Sequence, residues 1–178
     1  SDVGGLKRVL TNVKNRGGWG EVQLSRQLED ILTPEQYEEN AAVRPGSAER
    51  VEFAVKMPGR EEGGTPVFLP IDSKFPQEDY ERLLDAQESG EKLAIDEAGR
   101  ALERAILEQA KTIAKKYIEP PHTTDFAILY LPTEGLFAEV VRRPGLASKL
   151  QNELRILITG PTTLMSLLNS LQMGFRTL

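Results

Sequence analysis

The run Phe126-Ala-Ile-Leu-Tyr-Leu131 carries no charge and shows no apolar–polar alternation. A strand with one wet face alternates, so a continuous apolar run of this length reads as a strand buried on both faces. Such a strand needs helices above and below its sheet. Residues 155–159 read as a second buried strand, with Ile156, Leu157 and Ile158 in sequence.

The rest of the chain supplies those helices. Residues 6–16 place Leu6, Leu10 and Val13 at helical spacing, and Gly17-Gly18 then reads as a helix stop or sharp turn. Residues 19–32 form a second helix with Leu24, Leu28 and Ile31 on one face. Residues 37–43 are a strand candidate. Residues 51–57 are another, in which Val51, Phe53, Val55 and Met57 alternate with Glu52, Ala54 and Lys56. A loop rich in glycine and proline, 58–66, leads to a strand at 67–74, and the short connection predicts antiparallel pairing. Pro70 inside that strand predicts a bulge or an edge position.

A helical region follows Pro76 and is interrupted at Gly90. Residues 93–117 then form an amphipathic helix, in which apolar residues recur at Ala98, Ala101, Leu102, Ala105, Ile106, Ile113 and Tyr117. Pro120-Pro121 stops it. Short helices are expected at 136–141 and 146–154, and Pro161 opens a last one through 175. The predicted order is α-α-β-β-β-α-β-α-β-α: a mixed central sheet flanked by helices, of the α/β class with α+β character. It contains no repeat and no low-complexity segment.

A chain of 178 residues fits a single domain spanning 1–178. Its 27 acidic and 22 basic residues nearly balance, at a net charge of -5, which is not the signature of disorder. There is no cysteine, which excludes disulfides, thiolate metal sites and a cysteine nucleophile. The single histidine, His122, makes a histidine-rich metal site an unfavoured reading. No apolar run approaches the ~20 residues that cross a bilayer, so no membrane contact is expected of this segment. A first residue other than methionine, and an end inside a helical pattern, give the expectation of a domain excised from a longer cytoplasmic chain.

The best local signal for chemistry is Ile71-Asp72-Ser73-Lys74. Residues i and i+2 share a strand face, so Asp72 and Lys74 sit side by side. Glu52 lies on the neighbouring strand, about 4.8 Å away. In the matching register, Glu52 and Asp72 ligate one hard cation, with the Ser73 carbonyl as a further ligand and Glu21 contributing from the start of a helix. Mg²⁺ is commonly held by one or two carboxylates, waters and substrate phosphate. The plain alternative is a surface salt bridge. Against that, Asp72 and Lys74 end an apolar strand, where charges are costly unless paired or ligating.

The chain resembles the catalytic domain of the RmuC family, the bacterial DNA recombination proteins. The matching segments are Arg16-Gly-Gly-Trp-Gly-Glu21, Val51-Glu-Phe-Ala-Val55 with Pro58-Gly59, Leu69-Pro-Ile-Asp-Ser-Lys-Phe75, Tyr117-Ile-Glu-Pro120, Phe126-Ala-Ile-Leu-Tyr-Leu-Pro-Thr-Glu134 and Gly160-Pro-Thr-Thr-Leu164. They run in order along nearly the whole chain. The resemblance implies the PD-(D/E)xK nuclease-like superfamily, with a restriction-endonuclease-like α-β-β-β-α-β core plus extra helices.

By that resemblance, Glu21, Glu52, Asp72 and Lys74 are the catalytic set, and Mg²⁺ or Mn²⁺ is the cofactor. The position before Glu52 is Val51 rather than proline, and Glu52 stands where many relatives carry aspartate, so the carboxylate reaches further. The implied activity is metal-dependent DNA endonuclease chemistry, linked to recombination and to limiting DNA rearrangement. The alternative is a non-catalytic nuclease-like module that binds DNA or a protein partner. Relatives add an N-terminal coiled coil, often after a membrane anchor, so homo-oligomerisation and tethering are expected of regions outside this segment.

Other candidates have simpler readings. Glu134 borders a ligand cleft, or else Thr133 or Glu134 caps the helix that begins near Leu136. His122 lies in a loop and is read as structural. Arg100, Arg104, Lys111 and Lys115 share a helix face with Glu97 and Glu108, which reads as a solvated, ion-paired stripe. Lys14, Arg16 and Arg26 are the preferred DNA contacts, with Arg142 and Arg143 second. Trp19 is read as core packing.

Overall fold

The computed structural model describes residues 16–57 and 66–177. In order these form α1 (Arg16–Ile31), a 3-10 turn (Pro34–Gln36), β1 (Tyr37–Ala41), β2 (Val51–Lys56), β3 (Phe68–Ser73), α2 (Gln77–Ser89), α3 (Lys92–Tyr117), β4 (Ala127–Tyr130), α4 (Glu134–Val141), α5 (Leu146–Leu154), β5 (Ile156–Thr159) and α6 (Pro161–Thr177). Residues 6–15 of the expected first helix, and most of the 58–66 loop, lie outside the described residues.

The strands make one mixed sheet in the order β1-β2-β3-β4-β5. β1, β2 and β3 are an antiparallel meander, whereas β3, β4 and β5 run parallel. Parallel neighbours need crossovers, which α2–α3 and α4–α5 provide. β4 is buried along its whole length, as its composition predicts. Ala127 and Leu129 enter one apolar cluster, with residues of α2, α3, α4 and α5. Ile128 and Tyr130 enter the other, with residues of α1 and α6. The result is a three-layer arrangement with a core on each side of the sheet. Among the described residues no helix is long and apolar enough to cross a membrane.

Three local readings are corrected. Gly17-Gly18 does not stop a helix: both lie inside α1. Glycine weakens a helix interior, but α1 is held by tertiary contact. A Cβ on Gly20 would stand 3.3 Å from both Ser73 Oγ and Pro132 Cγ, so glycine permits the close approach of α1 to the ends of β3 and β4.

Pro70 lies at neither an edge nor a bulge, because β3 is the central strand and Pro70 pairs with Ala54 of β2. Phe68 donates its N–H to the His122 carbonyl and accepts from the Thr124 N–H. Residues two apart on a strand point their polar groups the same way, so the Pro70 nitrogen faces β4 too. It falls in the gap between that bridge and the Ile71–Ile128 register, where no N–H is required.

The third correction concerns the alternation of β2. Phe53, Val55 and Met57 pack against the α1–α6 side, but Val51 joins the opposite cluster. The partner strand does the same, with Tyr37 on one side and Ala41 on the other. Between Glu39–Phe53 and Ala41–Val51 lies Asn40, in the left-handed region at φ 53°. Asparagine tolerates that conformation better than most residues. The twist it introduces falls opposite Glu52 and turns the start of β2 across the sheet.

Core burial outweighs propensity in holding α3. Ile106→Ala, at a fully buried position, should cost roughly 2–5 kcal/mol. Leu93→Ala, at a residue 82% exposed, should stay within about 0.5 kcal/mol. Urea denaturation of the two variants measures both.

Candidate active site

The carboxyl ends of the parallel strands β3, β4 and β5 share one edge of the sheet, where ligands bind in open α/β folds. The antiparallel partner β2 begins at that edge. Asp72 and Ser73 end β3, Lys74 follows them, and Glu52 opens β2.

The Lys74 ammonium stands 3.0 Å from Asp72 Oδ2. The Asp72 side chain is only 4% exposed, against 37% for Lys74. The pair is close but not aligned as a hydrogen bond, so Oδ2 is a buried acceptor without an aligned donor. Burial pushes the Asp72 carboxyl above its usual range, and the charges of Lys74 and then Lys116 pull against that shift.

Glu52 reaches the same end of β3. Its Oε1 accepts from the Ser73 N–H at 2.8 Å and from the Ser73 hydroxyl at 2.7 Å. Burial foremost, then the Asp72 charge, push its carboxyl up to about 7, although the two Ser73 hydrogen bonds oppose this. Glu21 adds a smaller push in the same direction. Two carboxylates thus share one low-dielectric corner, and each is more costly to ionise there than in water.

The helix carrying Glu21 is docked by a polar network. Gln23 donates to the Pro132 carbonyl at 2.6 Å and to the Tyr130 hydroxyl at 3.2 Å. The Tyr130 hydroxyl donates to Gln27 Oε1, and Gln27 donates to the Pro161 carbonyl at 2.8 Å. Burial pushes the Tyr130 hydroxyl up to about 12, so it stays a donor. Trp19 packs beside the site, its ring 5.7 Å from that of Phe75.

Glu52, Asp72, Ser73 and Lys74 are therefore brought together as the sequence suggested. Glu21 is near enough to act on Glu52 but does not complete a ligand trio. Among the described residues no three His, Cys, Asp or Glu side chains are grouped to hold a metal ion. The pair still fits a hard divalent cation. Such an ion needs only one or two carboxylates besides water and phosphate, and the unaligned Asp72 Oδ2 is an oxygen with lone pairs to give.

The remaining candidates are placed as follows. Thr133 caps α4, as expected of it or Glu134, accepting from the Leu136 N–H at 3.0 Å, and Glu134 Oε1 accepts from the Thr162 N–H of α6 at 2.6 Å. His122 is half-buried in its loop. Arg26 is exposed, and at 100° per residue it lies about 140° around α1 from Glu21, so the two do not share a face. Lys14 lies outside the described residues, as does the side chain of Arg16. Arg142 and Arg143 pair with Glu139 and Glu103 at 3.3 and 3.2 Å. They line a cleft of about 510 Å³ with Arg100, away from Asp72.

Sequence reasoning missed the contribution of the α3 terminus. Tyr117 donates from its hydroxyl to the Arg50 carbonyl at 3.1 Å. Burial, then the charges of Asp72, Glu49 and Glu52, push that hydroxyl up to about 12. Lys116 beside it acts on Asp72. The available signal was Lys116 itself, the neighbour of a buried-face tyrosine rather than a member of the solvated stripe.

The RmuC family profile matches residues 1–178. A DNA recombination protein RmuC homolog of Xylella fastidiosa strain Temecula1 is 61% identical over 176 residues, covering 99% of this chain and 39% of that protein. The homolog of Chlamydia muridarum is 28% identical over 170 residues, covering 93% and 36%. That of Pseudomonas aeruginosa is 25% identical over 171 residues, covering 92% and 36%. This chain thus spans less than two fifths of the length of these relatives. No solved structure matches it.

The Glu52 shift has a pH signature. Its folded value, about 7, lies above the ordinary carboxyl value of 4.5. The folded state therefore holds the proton more tightly, and the stability this brings is complete below about pH 4.5 and lost as pH rises through about 7. Glu52→Gln keeps an acceptor for Ser73 and cannot ionise. In EDTA it should raise stability at pH 8 by on the order of 2 kcal/mol, with little difference at pH 4.5. Thermal melts of both proteins at the two pH values measure this.

Proposed function

The chain belongs to the RmuC family, and on that premise we propose that it is a metal-dependent DNA endonuclease domain with a PD-(D/E)xK-like site, acting in the recombination for which its relatives are named. The observation that carries this reading is the meeting of the buried Asp72 and Glu52 carboxylates with Lys74 at the carboxyl edge of the sheet.

Each residue has work suited to phosphodiester hydrolysis. Asp72 and Glu52 would hold Mg²⁺ or Mn²⁺, with Ser73 steadying Glu52. Such a cation, when bound, supplies Lewis acidity toward the phosphate and lowers the pKa of a bound water. Lys74 is half-exposed, so its ammonium is accessible to substrate; it orients the attacking water or meets the charge that develops on the phosphate. Glu21 biases Glu52 from across the edge. DNA is the substrate and the cytoplasm the compartment, with oligomerisation left to the parts of the relatives that this chain does not span.

A second reading, a nuclease-like module that binds DNA or a protein without cutting, has its own support. Lys74 is already paired with Asp72, and Glu52 Oε1 with Ser73, so the corner is partly self-satisfied.

Incubation with linear, circular, single-stranded and branched DNA in Mg²⁺, Mn²⁺ or EDTA separates the two. Cutting should require the metal and fall by about 10²-fold or more in Lys74→Ala and in Asp72→Asn. No cutting by the wild type, or equal cutting by all three proteins, removes the catalytic assignment and leaves the binding reading.

A further inference from the structure

The chain is acidic overall, at -5, so DNA needs a local path of cations to reach the Asp72 corner. The basic residues expected on α1 do not supply it within the described residues, because Arg26 faces away from Glu21. The opposite side of the corner does. There the end of α3 and the β1–β2 loop are fastened together at two points, with a long ion pair beside them. The Tyr117 hydroxyl donates to the Arg50 carbonyl at 3.1 Å. Arg44 donates to the Lys115 carbonyl and to Glu119 Oε2, both at 2.9 Å. Lys116 Nζ lies 3.8 Å from Glu49 Oε2.

We propose that Lys116 and Arg50 are contacts for the DNA phosphate backbone, leading it along the end of α3 to Lys74 and Asp72. This rests on the reading of Asp72 as a phosphodiester site. Arg50 is exposed and lies two residues before Glu52, at the mouth of the corner. Lys116 is next to the buried Tyr117, and its charge is among those that draw on Asp72. The rigid fastening matters, because a phosphate contact made from a fixed backbone loses less freedom on binding.

The rival explanation is structural: Lys116 pairs with Glu49 and favours the helix C-terminus. That pair is long, and its side chains are 42% and 47% exposed, so it holds little. The two explanations differ over the salt slope. If Lys116 serves only the fold, Lys116→Gln leaves that slope unchanged. If Lys116 serves DNA, the slope becomes shallower, and removing the competing Glu49 carboxylate strengthens binding.

The test is fluorescence anisotropy of a labelled duplex in EDTA, titrated with this chain over a range of salt. Lys116→Gln and Arg50→Gln should each weaken binding several-fold and make the slope of log K against log salt shallower by about 0.9, the value of one lost phosphate contact. Glu49→Gln should tighten binding about 2- to 3-fold, an expectation from removing one like charge beside the phosphate. Lys111→Gln, on the solvated stripe where Lys111 pairs with Glu108, should change neither. Thermal melts confirm that the variants fold. Unchanged slopes in Lys116→Gln and Arg50→Gln, or no duplex binding by the wild type, overturn the inference. Cutting with unchanged slopes refutes the path and spares the nuclease; altered slopes without cutting refute the nuclease and spare the path.

Discussion

The structure turns on a carboxylate that cannot be left alone. Asp72 ends the central strand of a sheet covered on both faces, and its side chain is 4% exposed. Ionising it there is costly unless positive charge stands close. Lys74 is placed by the strand's own two-residue period, so part of the compensation is local and cheap to encode. The rest comes from sequence-distant elements. Lys116 approaches from α3, and the Glu52 backbone on β2 adds a hydrogen bond that favours the ionised Asp72, while the Asp72 charge in turn raises the cost of ionising Glu52. A fold that spends burial on two carboxylates at one edge gains stability nowhere by doing so. That is the physical reason to read the corner as functional rather than as a structural ion pair.

What the sequence made legible was whatever a short window decides. The two-face burial of β4 followed from six residues, and the helix of 93–117 from its apolar period. The Asp72–Lys74 adjacency followed from strand geometry alone. What it hid were effects with distant causes. Alternation put Val51 with Phe53, but the left-handed turn at Asn40 rolls the start of β2 across the sheet. Gly17-Gly18 looks like a stop until Gly20 is seen against Ser73 and Pro132. Pro70 looks misplaced in a central strand until the gap facing its nitrogen is known. Lys116 carries only one local mark, its place beside the buried-face Tyr117, since its effect on Asp72 depends on where α3 ends relative to β3.

Docking of α1 shows how the site depends on the far side of the sheet. Gln23 and Gln27 sit one helical turn apart and bind acceptors at the ends of β4 and the start of α6. Tyr130 bridges them from within the sheet. These bonds satisfy polar groups that would otherwise be stranded under the helix. They also set the depth of α1, and so bring Gly20 against Ser73. Ser73 in turn holds Glu52. A disturbance at Gln27 therefore has a physical route to the carboxylates: a shift of α1 moves Ser73, and a shift of Ser73 releases Glu52 Oε1.

That route explains how Glu52, longer than an aspartate, is held convergent with Asp72. A glutamate has an extra torsion, and an unsupported one would sample positions that do not converge with Asp72. Ser73 removes that freedom with two donors on one oxygen, at 2.8 and 2.7 Å. The same donors lower the cost of ionising Glu52, against burial and the Asp72 charge. Residue 73 thus performs, from the middle of the Asp-Ser-Lys triplet, the positioning that a shorter side chain on β2 would perform by itself. The length of Glu52 and the hydroxyl of Ser73 form one device, and a change in either is felt through the other.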